Sequence, residues 1–189
     1  MNMSQQSQHV VFMKLALAEA CKSPPKESNF RVGAVIVNMD TNAVVATGYT
    51  LEMSGNTHAE ESALKKLAAM HNTTEAGLCS VRDLTQTERA HPPSGSGHGP
   101  GPEHAARYAI YTTMEPCSLR LSGNTPCTDR LVDQREWLRC VYYGVGEPDT
   151  FVQQNTGKSK LRAAGIDVVH VPGLEEEIIT VAKAGHGPR

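Results

Sequence analysis

Nowhere in this chain does an apolar run approach the roughly 20 residues that span a bilayer. The polar stretch from Met1 to His9 also lacks the charged-then-apolar layout of a secretory signal. Charge of one sign is missing as well: 18 Lys and Arg stand against 20 Asp and Glu, a net charge of −2. There is no global basic field to draw long nucleic acid and no polybasic cluster to recruit a membrane surface. The five cysteines are odd in number and scattered, which does not read as a disulfide framework. These absences predict a cytoplasmic protein, with the nucleus as the alternative. They also predict cysteines that are metal-bound or buried rather than cross-linked, and neither a nucleic-acid nor a membrane partner.

What is present is the composition of a globular domain, 39% hydrophobic and 20% charged over 189 residues. That length allows one domain with a real core and is short for two. Val10 to Ala20 carries apolar residues at helical spacing. Val32 to Val37 and Ala43 to Gly48 are short β-branched runs joined by a turn of hairpin length. His58 to Met70 reads as a helix with Thr57 as its N-cap. From Thr73 to Arg107 the pattern breaks, and Ala90 to Pro102 is almost wholly Gly, Pro, Ser and His. We expect a flexible insertion over about 73–107, because such a composition builds neither helix nor ladder. Beyond it the sequence predicts strands at Tyr108–Thr113, Cys140–Val145 and Asp167–Val171. These alternate with helices at Thr128–Trp137, Lys158–Ala164 and Leu174–Ala184, followed by a polar tail over about 185–189. A hairpin followed by strand–helix alternation predicts an α/β fold, a mixed sheet of roughly five strands with helices on both faces.

Three pieces carry chemistry: His58-Ala59-Glu60 opening a helix, Pro116-Cys117 after a strand, and Cys127 ahead of the next helix. One imidazole and two thiolates make three zinc ligands and leave a fourth position for water, as a catalytic rather than a closed structural site requires. Taken singly, His58 reads as a surface or satisfied core group, Glu60 as a solvated helix charge, and both cysteines as small buried hydrophobes. Their conjunction, each at a strand or helix boundary and with Pro116 directly before Cys117, argues for one site. His58 and Glu60 are two positions apart, so on a regular helix they would diverge. They share a site only if the metal sits over the helix's N-terminal end, where the partial positive charge favours thiolate and hydroxide.

H-x-E followed by P-C and a second Cys resembles the signature of the cytidine-deaminase superfamily. That resemblance implies a three-layer α/β/α fold and one Zn2+ per chain on His58, Cys117 and Cys127. It further implies a zinc-activated water and Glu60 as the proton carrier. Nine residues separate the cysteines here, Ser118 to Pro126, where most members have two. A long loop ending in T-P-C resembles the deaminases of riboflavin biosynthesis. Asn29-Phe30-Arg31-Val32-Gly33, Met114-Glu115-Pro116-Cys117-Ser118, Gly123-Asn124-Thr125-Pro126-Cys127, Asp149 and Gly165-Ile166-Asp167-Val168 match that family's segments. Leu119 stands where the bacterial form usually has His, Phe30 where it has Pro, and the intercysteine loop is one residue longer. With no room for a reductase-like domain, the chain resembles the fungal single-domain branch. The implied substrate is 2,5-diamino-6-ribitylamino-4(3H)-pyrimidinone 5′-phosphate, and the implied assembly is a homodimer.

The resemblance places Asn29 against the substrate, although the residue reads equally well as a turn former before a strand. A phosphate needs cationic or backbone donors, and Arg31, Arg120 and Lys158 lie near the motifs. Glu115 is expected to orient the loop beside the metal, and His91, His98 and His104 to be solvated. A base, nucleoside or tRNA-adenosine deaminase is the runner-up, but it predicts the short C-x-x-C and, for tRNA, a basic surface. A catalytically silent zinc-binding interaction module is the other alternative, and it has no use for Glu60.

Overall fold

The computed structural model describes residues 3–85, 108–120, 122–146 and 156–186. The N-terminal helix α1, Met3–Ala20, leads into the hairpin β1, Gly33–Asn38, and β2, Ala43–Tyr49. Helix α2, Ala59–Met70, a 3-10 helix at Glu75–Ser80 and the short α3, Arg82–Thr85, follow. The order then runs β3 (Tyr108–Met114), α4 (Cys127–Val132), β4 (Leu138–Val145), α5 (Gly157–Ala163), β5 (Asp167–His170) and α6 (Glu175–Ala182).

The five strands lie in the order β2-β1-β3-β4-β5. Antiparallel pairing joins β1 to β2 and to β3; parallel pairing joins β3 to β4 and β4 to β5. Every residue of β3 is buried, as expected of a central strand covered on both faces. Two cores flank the sheet. Leu64, Leu67, Leu131, Trp137 and Leu161 of the α2, α4 and α5 layer pack with Ile36, Ile110 and Val141 on one side. Phe12, Met13 and Ala16 of α1 and Ile178 of α6 pack with Val35, Tyr111 and Val145 on the other. The predicted three-layer arrangement is the observed one, and the chain has the mixed five-stranded sheet of the cytidine deaminase-like fold.

Four expectations need correction. The flexible insertion expected over about 73–107 is contradicted over residues 75–85, which form two short helices whose Leu78 and Leu84 are essentially fully buried; residues 86–107 lie outside the described residues. Two leucines in a polar stretch are too few to show a periodicity, yet enough to anchor it. Helix α1 begins at Met3 rather than Val10, and His9, in the added turns, stacks on Tyr142 with ring centroids 4.4 Å apart. The helix predicted over Thr128–Trp137 ends at Val132, where Gln134 turns the chain and accepts a hydrogen bond from the buried Trp137 indole. Thr57 does not cap α2; its hydroxyl bonds the Met53 carbonyl, and His58 occupies the N-cap position.

The register gathers three segments at one end of the sheet. Ala34 pairs with Thr112 and Gly33 with Tyr49, so the chain entering β1, leaving β2 and leaving β3 meet there. Gly48 tightens the junction. A Cβ at that position would lie 2.2 Å from the Ala59 carbonyl oxygen, so only glycine lets β2 touch the first turn of α2.

Candidate active site

The spacing problem of His58 and Glu60 is solved by the helix boundary. His58 has extended backbone angles, φ −91° and ψ 164°, and stands just outside α2, while Glu60 lies in its first turn. The two side chains therefore need not follow helical divergence. His58 Nδ1 lies 3.5 Å from Cys117 Sγ and 3.4 Å from Cys127 Sγ. Cys117 comes from the loop after β3, and Cys127 opens α4. The backbone N–H of Cys127 donates to Cys117 Sγ at 3.4 Å.

These distances can be tested against a tetrahedral ion. Zn–N of about 2.0–2.1 Å and Zn–S of about 2.3 Å at tetrahedral angles place nitrogen and sulfur roughly 3.5 Å apart. Both observed N···S distances agree with that figure. Three ligand atoms within 4.8 Å of one another, of the types zinc prefers, form a site that fits the metal.

Electrostatics follow from burial and mutual contact. A hydrogen bond from Cys127 and the neighbouring His58 hold the Cys117 thiol far below the ordinary range, at about 4, against the effect of burial. Cys127, as donor and fully buried, is pushed up. Burial opposes a charged His58, but Cys117 and Glu60 outweigh it and raise the imidazole. Burial likewise pushes the Glu60 carboxyl up, with His58 opposing. Glu60 Oε1 accepts a hydrogen bond from Thr112 Oγ1 at 3.1 Å.

Beside these groups lies a pocket of about 200 Å3. Asn29, Phe30 and Val32 form the wall before β1, Thr50 and Asn56 the wall after β2, and Glu115, Leu119 and Arg120 the wall after β3. Its size is below the roughly 300–1,000 Å3 typical of clefts for drug-sized ligands, which suits one small ring with a substituent leaving through the mouth.

The family described as the cytidine and deoxycytidylate deaminase zinc-binding region matches residues 6–144. The chain belongs to this deaminase family. It is 36% identical over 181 residues to the diaminohydroxyphosphoribosylamino-pyrimidine deaminase of Schizosaccharomyces pombe, covering 96% of this chain. It spans only 36% of the length of that curated relative. The crystal structure of Aspergillus oryzae Rib2 deaminase in complex with DARIPP, a C-terminal deletion mutant, is similar at 38% identity and a TM-score of 0.75. That match covers 95% of this chain and 92% of the other. The Thermotoga maritima deaminase/reductase shares the fold at 23% identity and a TM-score of 0.66, over 96% of this chain and 41% of that one.

Among the substrate-contact candidates, Asn29 lines the pocket and donates from Nδ2 to Asn56 Oδ1 at 2.7 Å. Arg120 lines it too, but is largely committed. Its Nη1 donates to Glu61 Oε2 at 2.9 Å and its Nη2 to the Asn56 carbonyl, while Nε is buried without a partner among the described residues. Arg31 does not reach the pocket; its guanidinium donates to the carbonyls of Ser23 and Cys21 after α1. Lys158 is also elsewhere, bonded to Glu115 Oε2 at 2.9 Å and lying over the Tyr143 ring. Both were placed near the motifs by sequence proximity alone, and in the fold each has a structural partner instead. Glu115 is the residue that Lys158 holds, in keeping with an orienting role. Asp149, His91, His98 and His104 lie outside the described residues.

Sequence reasoning missed Glu61. This carboxylate receives Lys65 at 2.7 Å, Arg120 at 2.9 Å and Arg130 at 3.2 Å, and so ties the intercysteine loop and α4 to α2. Only its i,i+4 partner Lys65 was visible from spacing. His186 was missed too. Its Nε2 lies 3.1 Å from the Asn29 carbonyl and its ring stacks on Phe30 at 4.7 Å, so residues far apart in sequence buttress the pocket wall.

Proposed function

We propose that this deaminase hydrolyses 2,5-diamino-6-ribitylamino-4(3H)-pyrimidinone 5′-phosphate to 5-amino-6-ribitylamino-2,4(1H,3H)-pyrimidinedione 5′-phosphate and ammonia. The convergence of His58, Cys117 and Cys127 beside Glu60 at a pocket of single-ring size carries this reading, and likeness to the fungal deaminases supports the substrate. In this proposal His58, Cys117 and Cys127 hold one zinc. When bound there, the metal lowers the pKa of a water at its fourth position to about 7.

Glu60, in the first turn of α2, moves the protons. It accepts one from the attacking water and delivers it to the ring nitrogen, then accepts the second from the new hydroxyl on the ring carbon and passes it to the departing amine. The water oxygen bonds to the amino-bearing carbon, the C–N bond breaks and ammonia leaves. Asn29, steadied by Asn56, offers its amide to the polar edge of the pyrimidine or the polyol. Arg120, with its uncommitted Nε, is the cation best placed for an anionic substituent. Burial of Glu60 keeps bulk water from competing for the proton.

We further propose one deaminase domain, a cytoplasmic location and a homodimer. Val11 and Leu15, 55% and 43% exposed on α1, are apolar positions that assembly would cover, and light scattering that reports a monomeric mass would contradict the dimer. The function itself is tested by metal analysis with ammonia release. Purified protein should carry one zinc per chain and release ammonia from the ribityl substrate in preference to its ribosyl counterpart, cytidine or guanine. Glu60→Gln should keep zinc and fold while turnover falls by roughly 100-fold or more. Robust turnover in that variant removes Glu60 from the proton role.

A further inference from the structure

A carboxylate that works on a reacting group has to be held in one rotamer, and β3 supplies a neighbour that can do this. The Thr112 side chain is fully buried. Its Oγ1 lies 3.1 Å from Glu60 Oε1 and 3.0 Å from the Met114 carbonyl oxygen. A hydroxyl has one proton to donate and lone pairs to accept with, so Thr112 cannot donate to both oxygens at once. Donation to Glu60 holds one carboxylate oxygen against β3, and the Met114 carbonyl keeps the hydroxyl oxygen from swinging away.

We propose that Thr112 is a positioning residue for Glu60, fixing its carboxylate rotamer through a buried hydroxyl that also contacts the Met114 carbonyl of its own strand. Valine would fill the same β-branched space on a fully buried strand, so packing gives no reason for the hydroxyl. Register gives one. Thr112 pairs with Ala34 in β1 and Tyr143 in β4, a central place beneath the first turn of α2. The inference rests on Glu60 being the proton carrier, and its test separates the two.

The experiment measures ammonia release, bound zinc and a crystal structure for Thr112→Val and Thr112→Ser beside Glu60→Gln. Thr112→Val should keep one zinc per chain and lower kcat by roughly 10-fold or more, the scale of a lost hydrogen bond to a charged group. KM should stay within about twofold, because the contact touches no substrate. Thr112→Ser should recover most of kcat. In the crystal the Glu60 carboxylate should have turned in the valine variant and not in the serine one. In the Glu60→Gln background Thr112→Val should add no further loss. Should valine prevent folding, serine against alanine makes the same comparison, since these differ only in the hydroxyl. Wild-type kcat without the hydroxyl, equal losses with and without it, or an effect on KM alone overturns the proposal. High activity in Glu60→Gln instead overturns the reading beneath it.

Discussion

Replacing Glu61 by alanine removes the anion on which three cations converge, and the structure gives the cost term by term. Lys65 is 42% exposed, so its i,i+4 pair with Glu61 contributes under about 1 kcal/mol. Arg130 keeps a second partner, Glu75, at 2.6 Å. Arg120 dominates. Its side chain is only 2% exposed, and without Glu61 it retains, among the described residues, just the Asn56 carbonyl. Stranding one member of a buried pair costs about 3–5 kcal/mol. At about 2–4 °C per kcal/mol for a chain of this size, the melting temperature should fall by roughly 6–20 °C. Calorimetry on the zinc-loaded protein is the assay, with urea unfolding as a check. Arg120→Met should cost less, because Glu61 keeps two cations. Combined with Glu61→Leu it should cost less than the sum of the single changes. A fall of under about 4 °C for Glu61→Ala would refute the view that this network fastens the intercysteine loop to α2.

The same carboxylate sets an acid limit. Burial pushes Glu61 up, but Lys65, Arg120 and Arg130 together hold it below its ordinary value of 4.5. Its contribution is therefore complete above that pH and lost as pH falls through the lowered folded value, so Glu61→Ala should flatten the stability profile below about pH 4.5; an unchanged slope contradicts the pairing. Cys117→Ala or Cys127→Ala should abolish stoichiometric zinc, read by elemental analysis, and full retention removes that residue from the ligand set. Leu78→Ala or Leu84→Ala should each cost about 2–5 kcal/mol by urea unfolding if residues 75–85 are integral to the core. Gly48→Ala should destabilise by roughly 1–3 kcal/mol and impair turnover, because relief of the clash displaces the turn that carries Glu60; wild-type kinetics would show that β2 can recede harmlessly.

The legible parts of the sequence were those with a period or a fixed chemistry. The β-branched runs of β1 and β2 and the apolar face of α2 declared their elements. A histidine, a glutamate and two cysteines at element boundaries declared a metal site before any coordinates. Boundaries were less legible: nothing local shows that His58 stays extended while Ala59 turns helical, although that one-residue difference is what lets His58 and Glu60 face the same place. Charged contacts were the least legible. Arg31 and Lys158 sit beside motif residues in sequence, but tertiary packing sends one to the carbonyls after α1 and the other to Glu115. Beyond its spacing to Lys65, Glu61 gave no sign of Arg120 or Arg130, and Thr112 gave none of Glu60, because those partners lie dozens of residues away.

The seating of residues 182–186 has a practical side. The Ala182 carbonyl accepts from Arg31 N–H, and Gly185 lies so near Lys26 that a Cβ would sit 2.3 Å from its nitrogen. With His186 against Asn29 and Phe30, residues 182–186 brace the pocket wall from behind. Cutting the chain back to Ala182 would therefore loosen the wall bearing Asn29, so a shortened form is a poor choice for assay work.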